Sequence, residues 1–181
     1  ERAVYNTSLS NDKKNITLEL KSTKNLIGKS NIRINSELIK ELFINTKNSN
    51  ISVNVILKST SGFNTYQLPY SNSIIVDVFD WAKVSAIEDK YRSGLFAYES
   101  SLYKQAINLF KDSKEQLNTA RSMLGLVYLL EDSLEASFNQ LSIAARNNST
   151  IPDVYAALSQ IYSEKGSQTK SDYYKNKFLT A

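Results

Sequence analysis

Apolar and polar residues alternate through Ile16-Thr17-Leu18-Glu19-Leu20 and again through Ile51-Ser52-Val53-Asn54-Val55, the period of two expected of a half-buried β-strand. Ile32-Arg33-Ile34 reads the same way, and Ile74 to Phe79 predicts a more buried strand after a turn over Pro69 to Ser73. Between them, Ser36 has the chemistry of a helix N-cap, and Leu38, Ile39, Leu42 and Phe43 recur at helical spacing, so one helix is expected there. The pattern changes at Trp81. From that point apolar residues recur every three or four positions among helix formers, with few breakers, enough for two helical hairpins or more. The expectation is an α+β chain: a small β-rich domain over residues 1–80, then an all-α domain over residues 81–181.

The helical half repeats itself. Leu124-Gly125-x-x-Tyr128 recurs as Leu158-Ser159-x-x-Tyr162, and Ser137 recurs as Ser171, each pair 34 positions apart. With these positions the chain resembles the tetratricopeptide-repeat family, whose unit is a helix-turn-helix with small residues where its helices cross. One unit carries Leu124, Gly125 and Tyr128, with Ser137, Leu141 and Ala144 on its second helix. An earlier unit carries Gly94 and Tyr103-x-x-Ala106-x-x-x-Phe110, with Ser113 at a small position. It is offset by 31 positions from Gly94 to Gly125, which a shortened connection near Lys114 would explain. A third carries Tyr155, Leu158, Tyr162 and Gly166, but has Lys175 where an aromatic is usual, as suits a last repeat with a solvated outer face. Pro152 stands between the second and third units.

The resemblance covers residues 86–179 and implies a solenoid of two to three repeats whose concave surface binds other proteins. Its groove positions fall on Tyr91, Leu95 and Tyr98, on Met123, Leu126, Leu129 and Leu130, and on Gln160. That line is apolar. It lacks the basic residues with which some members clamp a carboxylate, and it favours an amphipathic helix or an extended apolar segment as ligand. The alternative is that these leucines are core, or are covered by the N-terminal domain.

Composition narrows the chemistry. The 181 residues contain no cysteine and no histidine, which excludes the usual zinc site, a thiolate nucleophile and any imidazole base. The net charge of +4 is spread over both halves, with ten Lys/Arg against seven Asp/Glu up to residue 80, so no nucleic-acid footprint is expected. Gly28-Lys29-Ser30 looks like the end of a phosphate loop, but Thr23 stands where that loop needs a glycine. Carboxylate neighbours such as Glu131 with Asp132 read as solvated surface. No catalytic, cofactor-binding or metal-binding residue is expected, and no apolar run approaches the roughly 18 residues of a membrane span.

Richness in Asn, Lys, Ser and Ile is similar in style to Borrelia-like spirochaetal cell-envelope proteins with such repeats. That resemblance implies an exported protein, attached to a membrane only through a lipid anchor outside this chain. The functional expectation is a non-enzymatic adaptor binding another envelope protein. The alternative is a glycan- or peptidoglycan-binding protein using the N-terminal domain, and a third reading places a carboxylate or Ser-Lys enzyme site there.

Overall fold

A computed structural model describes residues 4–181, which form seven strands, one short 3-10 turn and six α-helices. The chain divides into two units. One comprises residues 1–65 and 76–84, the other residues 66–75 and 85–181.

The first unit is built on a five-stranded antiparallel sheet in the order β1-β2-β5-β4-β3, from β1 (Tyr5–Leu9), β2 (Asn15–Leu20), β3 (Asn31–Arg33), β4 (Ile39–Lys47) and β5 (Asn50–Leu57). The central β2–β5 pair places Ile16 opposite Val55, and these residues with Leu57 form its fully buried core. Strands β6 (Gly62–Gln67) and β7 (Ile74–Phe79) form a separate hairpin, whose base supplies Phe63, Val76 and Val78 to that core. Gly62 is obligatory there, because a Cβ at this position would lie 2.4 Å from the Phe79 ring.

The helix expected after Ser36 is instead strand β4, and the cause of the misreading is visible. A bulge between Ile39 and Glu41 inserts an extra residue, Lys40, into the pairing with β5. Ile39 and Leu42, three apart and so on opposite faces of a regular strand, therefore both pack on Ile16, Val55 and Leu57. The bulge reproduces the i, i+3 spacing of a helix. Ser36 does cap, its hydroxyl accepting the N–H groups of Leu38 and Ile39 at 3.2 Å, but the capped turn leads into a strand.

In the second unit the helices pair in chain order: α1 (Ala86–Glu99) with α2 (Tyr103–Ser113), α3 (Asn118–Leu130) with α4 (Leu134–Arg146), and α5 (Asp153–Glu164) with α6 (Gln168–Leu179). The first helix starts from a complete capping box between Ser85 and Glu88. Helices α1, α3, α4 and α5 end alike, with Ser101, Asp132, Asn148 and Gly166 in the left-handed region. In each the next N–H reaches back five residues, as Leu102 does to Ala97 and Ser133 to Tyr128, both at 2.8 Å.

Each hairpin crosses at small residues. A Cβ on Gly94 would lie 2.6 Å from the Phe110 ring and one on Gly125 2.5 Å from Leu141, so glycine is what lets these helix pairs close. Across the 34-residue offset the hydrogen bonding is the same. Ser137 donates to the Gly125 carbonyl at 2.8 Å, and Ser171 donates to the Ser159 carbonyl at 2.9 Å. The 31-residue offset has two sources: α2 has 11 residues against 13 in α4, and the connection after α2 is shorter than that after α4.

Candidate functional site

The helical unit includes ten residues from far upstream, Tyr66 to Ile75, which form the tip of the β6–β7 hairpin. The tip is closed upon itself. Leu68 N–H donates to the Ser73 carbonyl at 2.9 Å, the Gln67 amide holds the Asn72 side chain, and Asn72 adopts a left-handed conformation. Within this frame Pro69 presets an extended-to-turn backbone at the apex.

The segment is seated on the first helices of the hairpins. Its Tyr66 and Leu68 are buried in one cluster with Leu95, Tyr98, Met123, Leu126 and Leu158, and Ile75 packs against the same cluster. Four hydrogen bonds fix its backbone. Glu99 accepts the Gln67 N–H at 3.0 Å, and the Tyr98 hydroxyl donates to the Gln67 carbonyl at 2.7 Å. At the other end the two oxygens of Asp153 accept the consecutive N–H groups of Tyr70 and Ser71, at 2.6 and 3.0 Å.

Asp153 is fully buried. A buried carboxylate requires strong compensation, and here it comes from two charge-assisted hydrogen bonds and from its place as the first residue of α5, after Pro152, where the helix dipole favours negative charge. The contacts on either side of the tip therefore address main-chain atoms, while Leu68 supplies the apolar anchor.

This seating decides where the expected groove residues lie. Leu95, Tyr98, Met123 and Leu126 are each at most 1% exposed, Tyr91 and Leu129 are half-buried, and only Leu130 and Gln160 reach solvent. The middle of the apolar line is interior, and no partner can touch it while the tip is in place. The third hairpin stays open. Beside the exposed ring of Tyr70 a cleft of about 440 Å³ is lined by Gln160, Ser163, Ser171, Asp172 and Lys175, polar where the expected groove is apolar. Burial foremost, and then the charges of Glu164 and Asp153, push the Tyr70 hydroxyl above its ordinary pKa.

Sequence reasoning missed Glu99, Asp153 and the tip itself. An aspartate directly after a proline at a helix start is ordinary, and its only readable signal is the charge favoured at that end of a helix. The tip is seen from sequence as a turn, without its destination.

In the first unit, Asn25 accepts the N–H groups of Ile27 and Gly28, so the glycine N–H of Gly28-Lys29-Ser30 is spent within the loop rather than turned to a phosphate. Of the clefts on that unit, one is lined by Lys24, Lys29 and Ser30 and another by Leu20, Asn45 and Ile51, and neither has an aromatic wall. Among the described residues, no group of three or more Asp or Glu is placed to hold a metal ion. No family model matches the chain, and no curated protein matches it in sequence.

Proposed function

We propose that the three helical hairpins are tetratricopeptide-type repeats and that the chain is a non-catalytic protein-binding module. The repeat reading is supported by the crossing residues, Gly94 with Phe110 and Gly125 with Leu141, and by the matched bonds of Ser137 and Ser171 across 34 positions. The observation that carries the binding reading is that the first-helix face already receives a polypeptide turn, whose main chain is held by the side chains of Tyr98, Glu99 and Asp153. Glycan binding would call for aromatic walls, and the two clefts described on the first unit, at Lys29 and at Ile51, have none. Following the compositional resemblance, the partner to look for is a protein of the cell envelope.

The open part of this face is the cleft at Gln160 and Lys175. Both side chains are exposed, so substituting them leaves the core intact. The double variant Gln160→Arg with Lys175→Glu lowers the net charge by one unit and moves the positive charge from one wall of the cleft to the other. Compared with the wild-type chain as bait in an extract of its native organism, it should lose the captured partner and retain its thermal melt. Undiminished capture by the folded variant would remove this face from consideration.

A further inference from the structure

The tip meets the helices through a combination seldom needed by a merely packed loop. One aliphatic side chain, Leu68, is 2% exposed, and it is flanked by four backbone groups that side chains of the helices receive. Glu99 and Tyr98 take the N–H and C=O of Gln67, and Asp153 takes two successive N–H groups beyond Pro69. None of these bonds depends on the identity of the tip's side chains. They would be made equally by any segment that runs extended to an aliphatic residue, turns at a proline after it, and presents two free N–H groups in that turn. The surface is thus complementary to a class of peptide, of which Tyr66 to Ser71 is the member supplied in cis.

We propose that the tip is an internal ligand of the first-helix face, and that a partner presenting a Leu-Pro turn binds there by displacing it. This rests on reading the chain as a protein-binding module and adds two things: the chemistry of the partner's segment, and a gate. Because an occupied face must first be vacated, the apparent affinity for a partner is lowered by the fraction of molecules with the tip released, and anything that favours release raises it. The tip's own clasp, from Gln67 to Asn72 and from Leu68 to Ser73, lets it leave as a preformed unit.

A labelled synthetic peptide covering residues 66–72 tests this against the full chain by fluorescence anisotropy. In Leu68→Asp the anchor carries a charge that cannot stay buried, so the tip is expelled. This variant should bind the peptide at least tenfold more tightly than the wild type does, and adding Asp153→Ala should bring binding back to the wild-type level or below. Leu68→Asp that keeps its helical circular dichroism but binds no peptide overturns the proposal. So does loss of the helical fold in that variant, since a face that collapses without its tip is no ready site.

Hydrogen exchange on the wild type gives an independent reading. The N–H groups of Gln67, Tyr70 and Ser71 should exchange at least tenfold faster than those of Leu126 and Leu158, and equal rates would mean that the tip leaves only on global unfolding. If the gate fails while Gln160→Arg with Lys175→Glu still abolishes partner capture, protein binding stands and displacement alone is refuted.

Discussion

Gly125 and Gly166 separate two reasons for a glycine. At Gly125 the backbone is helical and the constraint is space, with Leu141 lying 2.5 Å from where a Cβ would be, and the Leu141 backbone nitrogen 3.2 Å from it. At Gly166 nothing stands within 4 Å, and the constraint is a φ of +72° closing the end of α5. Alanine should therefore be costly at both, for different causes. Gly125→Ala is expected to lower stability by about 1–3 kcal/mol in a denaturant melt, because a helix pair must separate to admit a methyl group. Gly166→Ala should cost about 1 kcal/mol from the strained conformation alone. No loss of stability at Gly125 would mean that the helices do not close on that glycine.

Among the elements, those with one clear period are legible in the sequence and those with a compound cause are not. The alternation at Ile16–Leu20 and Ile51–Val55 marks β2 and β5, and the crossing residues Gly94, Ala106, Gly125 and Ser137 mark two hairpins before any coordinates. Strand β4 is hidden because a bulge changes its phase, and because the turn after it lacks the usual signature. Asn48 and Ser49 both take left-handed conformations between β4 and β5, a two-residue turn that ordinarily advertises itself as Asn-Gly. Serine there is strained. Ser49→Gly should raise the stability of the sheet by about 0.5–1 kcal/mol, read from the shift of its thermal transition, since glycine adopts the left-handed region without penalty. Legibility of the site stops at the same kind of limit. The apolar character of Leu95, Met123 and Leu126 is plain in the sequence, but what covers them comes from residues 66–75, joined to them by no local pattern.

For the molecule as a whole, the shifted tyrosines give the helical unit a dependence on alkaline pH. Tyr70, Tyr155 and Tyr174 all have hydroxyls pushed above the ordinary value of 10.0, in each case chiefly by burial. The folded state then holds these protons where the unfolded chain gives them up. Their contribution is complete below about pH 10 and is lost as pH rises through the higher folded values. The helical melting temperature should consequently fall between pH 9 and 11, in step with the appearance of tyrosinate absorbance. A melting temperature unchanged over that interval would show that these rings ionise without cost to the fold.

The Asp153 clamp also imposes an order in time. Its carboxylate lies 83 residues beyond the Tyr70 N–H that it receives, whereas each helical hairpin is complete within some 30 residues of chain. During synthesis at about 5–20 residues per second, Tyr66 and Leu68 therefore emerge roughly 4–17 seconds before the start of α5 exists to hold the turn beyond them. Over that interval the tip can meet only the first two hairpins, and the turn beyond Pro69 is open to whatever chaperone or neighbouring nascent chain reaches it first.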